Sequence, residues 1–532
     1  MLKVKNSNDM KHKILSMIGA GLLILALASC REQSDTLISY DHQDQIAFSE
    51  AENSYAGKFK VMWNALSQNY AMWDYEKENG LDWDDVYDKY LPRYEALDQQ
   101  KDVTDNQLLE LTKEVICPLH DGHMVVKLKN HKTGNYITVF PSEVRNSQRP
   151  NFLAIKSASP RLEYYADKKN GEIELDEDGQ PLCLEYSTDT EDMLDKFNET
   201  DDIGMNWIND SITVLKELTT PTAEQVDMLQ VLTELKNELK KVEDSLEGIQ
   251  LFNWLANRYA YLNIPGFEPI DEAFCNNDIK IKSALLKGNI AYLHFSDFNL
   301  SYYLNEEANK YAFHNPSEST ITHFKKVQEV WNLWYNSIQD LHKSGKLGGV
   351  IIDVRNNGGG LMSDYQLVMG ALLPSGGFEY GKSRYKRGPG RLDYSPLMPG
   401  IIATMDDEHA VITEPIVVLS NLASISMAEI TALSTKYIDN AVSIGQRSWG
   451  GLCGLTGNES FSYNYSGHIG EENKTPVYIY LPVMAQFTRE GQILDGYGVT
   501  PDIEVNLDLI QFLTTGKDTQ LDRALQYIRN GN

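Results

Sequence analysis

Apolar residues recur at helical steps soon after residue 54: Phe59, Met62, Trp63, Leu66 and Tyr70 share one face of a predicted helix. Asp82-Trp83-Asp84-Asp85-Val86-Tyr87 opens a second helix with acids in its first turn. Val103-Thr104-Asp105-Asn106-Gln107-Leu108-Leu109 begins a third, which stops at Cys117-Pro118, because proline lacks an N–H and clashes with the preceding turn. The pattern then changes. Residues 124–200 alternate short apolar runs with turn signals such as Lys132-Thr133-Gly134-Asn135 and Asp176-Glu177-Asp178-Gly179, which predicts a small β-rich module. Over 221–251, Val226, Leu229, Leu232, Leu235 and Leu239 line one side of a long helix, and a Glu/Lys run forms its solvated face.

From residue 289 the pattern is α/β. Strands are predicted at 290–295, 349–354, 415–419, 441–444 and 477–480, and helices at 323–341, 364–373 and 427–437. Such alternation predicts an α/β fold, a mixed sheet with covering helices. The chain divides into a leader (1–29), a polar tether (30–52), an N-terminal helical subdomain (53–128), a smaller β-rich and helical middle module (129–286), an α/β core (287–515) and a C-terminal helix or tail (516–532).

The 532 residues carry 76 acidic and 48 basic side chains, a net charge of -28. Nucleic acid is a poor partner for such a chain, since phosphate contacts need clustered cations. At the N-terminus, Lys3, Lys5, Lys11 and Lys13 precede an apolar run over 14–29 that ends in Leu27-Ala28-Ser29-Cys30. The run is shorter than the roughly 20 residues of a membrane-spanning helix. A charged start, an apolar centre and small residues before a cut describe a secretory signal. The cysteine at the cut resembles a bacterial lipobox. It implies diacylglycerol on Cys30, hence a protein lipid-anchored in the bacterial cell envelope, outside the cytoplasm. The other cysteines, Cys117, Cys183, Cys275 and Cys453, are widely spaced and without a C-x-x-C, so no zinc site is expected.

Two segments carry chemistry. The predicted strand at 349–354 runs into Gly358-Gly359-Gly360, where glycines permit positive φ and close approach of the backbone. The strand at 415–419 runs into Ser424-Ile425-Ser426-Met427-Ala428-Glu429 at the mouth of a helix. A helix N-terminus presents free N–H groups and partial positive charge. Ser426 there is either a nucleophile or the N-cap of a capping box closed by Glu429. Ser424 is a second candidate in the same turn. For a base, the suggestive histidines lie in Leu119-His120-Asp121-Gly122-His123.

Taken in order, these elements resemble the tricorn-like branch of the C-terminal processing/tricorn serine peptidases. The resemblance rests on Leu119-His120-Asp121-Gly122-His123, Asp353-Val354-Arg355-Asn356-Asn357-Gly358-Gly359, Ser426 three residues before Glu429, Ser448-Trp449-Gly450-Gly451, and Asp495-Gly496-Tyr497-Gly498-Val499-Thr500-Pro501-Asp502. It covers roughly 55–128 and 287–510. It implies a ClpP/crotonase-like peptidase core with Ser426 as nucleophile, His123 as base and Asp495 as the orienting acid. The oxyanion would be held by the backbone N–H groups of Met427 and of Gly358 or Gly359. A peptide or protein is the implied partner, with no metal and no cofactor. Two departures matter. The processing branch has its lysine base where this chain has Gly451, and no lysine lies between Lys436 and Lys474. Where the tricorn branch often carries a serine before the histidine and a glutamate beyond it, this chain has Gly122 and Asp495; Asp121 is the alternative orienting group. Arg384 and Arg387, in a basic island with Lys382, Lys386 and Arg391, are candidates to bind a peptide carboxylate. The rival reading is a catalytically inactive peptide- or ligand-binding lipoprotein on the same fold. An esterase is disfavoured by the lack of a Gly-x-Ser-x-Gly elbow at Ser426.

Overall fold

The computed structural model describes residues 48–146, 279–304, 318–405, 409–455, 467–508 and 518–531, with short pieces between 148 and 236. Ser54 caps helix α1 (Tyr55–Asn69), its hydroxyl accepting the Gly57 N–H at 3.0 Å. Helices α2 (Trp73–Glu78), α3 (Trp83–Asp98) and α4 (Asp105–Ile116) follow. Thr104 and Gln107 close a capping box on α4, and its C-cap is Cys117, next to Pro118. The buried face of α1 meets Trp73, Trp83, Tyr90 and Tyr94 in one aromatic-rich core.

That core also needs a sheet. Strand β1 (Val125–Lys129) pairs with β2 (Tyr136–Val139). On its other side β1 pairs antiparallel with a strand from the far end of the chain, Val477–Leu481. The expected boundary at 128/129 therefore falls inside a strand. Residues 53–128 are not a separate helical unit, because C-terminal residues complete their sheet and core. The long helix expected over 221–251 lies largely outside the described residues, as do residues 1–47 with Cys30.

Among the described residues, the central sheet has seven strands. In chain order they are β3 (Glu185–Ser187), β4 (Ile281–Leu286), β5 (Ile290–Phe295), β6 (Gly349–Asp353), then Ile416–Ser420, Ala441–Gly445 and Ile503–Glu504. Neighbours from β5 to the last are parallel; β3, β4 and β5 pair antiparallel. This is the expected mixed sheet. Side chains alternate between its faces. On one face, Val350, Ile352 and Val418 share an apolar cluster with Val327, Trp334 and Ile338 of the long helix α5 (Glu318–Lys343). Ile351, Val417 and Leu419 face the C-terminal helix Thr519–Asn530, through Leu521, Ala524 and Leu525. That helix is thus a layer of the core rather than a tail beyond residue 515.

Two further details position the site. Leu419 is in register with Asp353 on parallel neighbouring strands, so the glycine tract and the serine turn leave the same edge of the sheet. The helix expected over 364–373 is instead a 3-10 helix at Met362–Leu367 followed by turns. A Cβ on Gly370 would lie 2.7 Å from Gln366 Cα and 3.0 Å from Thr404 Cα, so the chain is pressed against its neighbours there and turns back. Phe378–Tyr385, Met398–Ile402 and Met484–Phe487 form a small antiparallel sheet.

Candidate active site

Ser426 stands between the strand Ile416–Ser420 and helix α6 (Met427–Ser434). Its backbone is at φ 58° and ψ -115°, a region that side-chain-bearing residues rarely adopt. Holding it there costs on the order of 1–3 kcal/mol, so surrounding contacts must impose it. Glu429 is the main one. Fully buried, it accepts from the Ser426 N–H at 3.0 Å, the Gly451 N–H at 2.6 Å, the Gly450 N–H at 2.7 Å and the Ser448 hydroxyl at 2.5 Å. Burial pushes its carboxyl above the usual range, and those four donors oppose that shift. The motif Ser-x-x-Glu therefore does more than cap a helix: it ties the serine turn to the Ser448-Trp449-Gly450-Gly451 turn. Ser424 is a structural residue. It is buried, donates to the Val354 carbonyl at 2.7 Å and accepts from the Asn421 N–H at 3.0 Å.

The glycine tract lies against this turn. Gly359 is at φ 86°, and a Cβ on it would come within 2.5 Å of Ser426 Cβ and 3.1 Å of the Met427 nitrogen. Only glycine fits that approach. The N–H groups differ from the expected set, however. The Gly358 N–H donates to the Ser296 carbonyl at 3.0 Å and the Gly359 N–H to Asn357 Oδ1 at 2.8 Å. Neither is open in this conformation. Among the described residues, the Met427 and Gly360 N–H groups have no partner, so Gly360 replaces its two neighbours as the tract's open donor. The sequence marks all three glycines alike; the Ser296 and Asn357 acceptors and the bridge between Phe298 and Gly360 sort them.

His123 reaches the same edge from the N-terminal part of the chain, carried by β1. Asp121 Oδ1 accepts the N–H groups of His123 at 2.7 Å and Met124 at 2.8 Å, which fixes the turn. The ring lies beside Gly451: a Cβ at 451 would be 3.4 Å from His123 Cε1 and 3.2 Å from Ile425 Cγ2. The imidazole thus stands next to the position where the processing branch has its lysine. Burial lowers its pKa from 6.5 to about 4, so the ring is neutral at ordinary pH. His123 Nδ1 is buried without a partner, and among the described residues no hydrogen bond joins the ring to Ser426.

Asp495 lies within this constellation, but its contact is not the one the resemblance implies. Its Oδ1 accepts the Gly122 N–H at 3.0 Å and its Oδ2 the Cys453 N–H; both oxygens hold main chain rather than the ring. Burial and then the neighbouring Asp121 raise its carboxyl well above the usual range. Burial likewise raises Asp121 to about 7. His120 turns away, with Nδ1 2.8 Å from the buried Glu76.

The basic island is a clasp. Arg384 forms a two-pronged pair with Asp74 at 2.7 and 2.8 Å and stacks 3.9 Å from the Tyr394 ring centroid. Arg391 pairs with Asp84 at 2.7 Å. Lys386 is buried among the carbonyls of Gly388, Gly390 and Asp393. Arg384 is therefore committed to α2 rather than open to a peptide carboxylate, and the Arg387 N–H donates to the Asp393 carbonyl at 2.8 Å within the same loop. The Asp353-Val354-Arg355 element is structural as well. Arg355 bonds Asp353 at 2.6 and 2.8 Å and Asp518 at 2.8 Å, joining the end of β6 to the C-terminal helix.

Residues 289–505 match the sequence profile of Peptidase family S41. The tricorn protease of Thermoplasma acidophilum is 26% identical over 232 residues, covering 42% of this chain and 19% of that one. The nisin-resistance protein of Lactococcus lactis subsp. lactis is 29% identical over 170 residues, covering 31% of this chain and 48% of that one. The chain thus spans less than half the length of either curated relative. A solved structure of mature CPAF covers 91% of this chain and 98% of its own, at 11% identity and a TM-score of 0.45.

Proposed function

We propose, on the premise that residues 289–505 form a peptidase family S41 domain, that this chain is a serine endopeptidase whose nucleophile is Ser426 and whose base is His123. The observation that carries this reading is the strained Ser426 turn, pressed on Gly359 and opening onto the free Met427 N–H, with a neutral imidazole beside Gly451. His123 takes the proton of Ser426 Oγ as it attacks a peptide carbonyl, and returns it to the leaving amine. The Met427 and Gly360 N–H groups receive the oxyanion. As no hydrogen bond joins ring and hydroxyl in the free protein, peptide binding draws them together; such contacts commonly tighten only in the substrate complex.

The N-terminal pattern supports a lipid on Cys30 and a place outside the cytoplasm, held to the bacterial membrane by a polar tether. The rival reading, a non-hydrolysing peptide binder, draws on one observation: the Gly358 and Gly359 N–H groups are both engaged. Hydrolysis of an unstructured peptide library separates the two. Wild-type protein should cleave internal bonds, and Ser426→Ala should lose about four orders of magnitude in rate, the scale of removing one triad member. Binding of the same peptides by wild type with no cleavage would favour the rival.

A further inference from the structure

The His123 turn is held through its main chain, from both sides. Asp495, fully buried, accepts the Gly122 N–H with one oxygen and the Cys453 N–H with the other. Trp449 Nε1 donates to the Gly122 carbonyl at 3.2 Å, and the Gly496 N–H to the Gly450 carbonyl at 2.8 Å. Gly450 and Gly451 are in turn fixed by Glu429, while Asn146 and Arg149 hold the carbonyls of Trp449 and Ser448 at 3.0 and 2.7 Å. Gly122 has no room beneath it. A Cβ there would lie 2.1 Å from the Gly450 carbonyl oxygen and 2.2 Å from Gly451 Cα, both backbone atoms that cannot swing aside.

We propose that Asp495 is a positioning residue that acts on His123 through the main chain, clamping Gly122 to Cys453, and that Gly122 is a close-packed position the clamp requires rather than an emptied relay site. This rests on the serine peptidase reading. A relay would run from the acid through a side chain at 122 to the ring. Here the space for that side chain is filled by the 448–451 turn, both Asp495 oxygens are on backbone donors, and His123 Nδ1 has no acceptor. The acid sets where the ring stands and does not share its proton. The ionisable groups around the clamp are Asp121, Glu429, Tyr75 and the Cys453 thiol at Asp495, with Glu76, Arg145, Tyr70 and Tyr480 around Asp121.

Fluorophosphonate inactivation rates across the acid pH range, measured with Asp495→Asn and Gly122→Ser, test this. In Asp495→Asn the amide nitrogen faces an N–H donor, so the turn shifts and the rate falls about a hundredfold, the scale of a 1 Å misplacement. The pH at which His123 titrates stays where it is in wild type. A carboxylate bonded to the ring gives a different result: its loss lowers that pH by about one unit or more, because an opposite charge no longer supports the imidazolium. Such a shift overturns the clamp. Gly122→Ser should be at least as slow as Asp495→Asn, whereas equal or faster inactivation than wild type would restore the relay and overturn the proposal. Melting temperatures establish that each variant is folded, and Asp495→Asn decides alone if Gly122→Ser is not. Wild-type protein that never labels at Ser426 sinks the peptidase reading, and the clamp with it; a labelled wild type with either contrary variant sinks the clamp only.

Discussion

At the residue scale, Ser426 and Glu429 form one device. The serine occupies a backbone conformation that costs free energy, and the buried carboxylate offsets that cost with four hydrogen bonds. Glu429→Ala leaves the buried Gly450 and Gly451 N–H groups, the part-buried Ser426 N–H and the Ser448 hydroxyl proton without their acceptor, at about 1–3 kcal/mol for each buried group left unsatisfied. Its melting temperature should fall by well over the shift for Ser424→Ala. Ser424→Ala removes one hydrogen bond to a carbonyl, should cost about 1 kcal/mol and should spare the rate per folded molecule. A second expectation concerns pH. The sequence alone suggests a base titrating near the ordinary histidine value, but burial of His123 lowers it from 6.5 to about 4. The unfolded chain binds that proton first, so this group's contribution to stability is complete above 6.5 and is lost as pH falls from 6.5 through 4. Peptidase kcat/KM should accordingly hold to well below pH 6.5 and drop toward 4; a half-maximum at 6.5 in the free protein would show the ring to be solvated. Residue types were legible here, because strand, turn and helix signals flank Ser426 and the glycines. Which N–H is open was not, since that depends on Asn357, Ser296 and Phe298 folding back from other positions.

At the element scale, the parallel pairing of β6 with Ile416–Ser420 does the assembly, bringing Gly359 and Ser426, 67 residues apart in the chain, to one edge. The strands were readable because each is buried on both faces and runs as an apolar stretch. The small sheet's strands at Phe378–Tyr385, its middle strand, and Met398–Ile402, at its edge, were not: in the latter the exposed Met398 and Ile401 break the alternation. Nor was the order that lays the C-terminal helix on the sheet, which follows from the buried Arg355 network. Burial opposes charge on Asp353, yet Arg355 holds its carboxyl below the usual range. Removing one partner of a buried pair costs about 3–5 kcal/mol. Arg355→Met should therefore destabilise by that order in chemical denaturation and expose the Thr519–Asn530 helix to hydrogen exchange first. Exchange in that helix no faster than in wild type would show that its apolar face, Leu521, Ala524 and Leu525, suffices to hold it.

At the scale of the whole molecule, the site is shared between distant parts of the chain. His123, the proposed base, arrives just ahead of β1, and Ser426, the proposed nucleophile, with the central sheet. The join is made by the pairing of β1 with Val477–Leu481 and by the arginine clasp, Arg384 to Asp74 and Arg391 to Asp84. Arg391–Asp84 is largely exposed on its acid side and contributes little. Arg384 is the more buried and also stacks on Tyr394. Arg384→Ala should lower the inactivation rate at Ser426 while leaving peptide affinity nearly unchanged; a selective loss of affinity for peptides with a free carboxylate would reinstate it as a substrate contact. Cys30→Ala should block lipidation and release the chain from membranes in cell fractionation, and unlipidated wild-type protein retaining residues 1–29 in its native host would contradict the anchor. One measurement tests the central claim most directly: treatment of the folded wild-type protein with a fluorophosphonate, followed by mass mapping of the adduct. A single adduct on Ser426 is expected, absent from Ser426→Ala and strongly slowed in His123→Ala. An adduct elsewhere, or equal labelling of the His123→Ala variant, would contradict it.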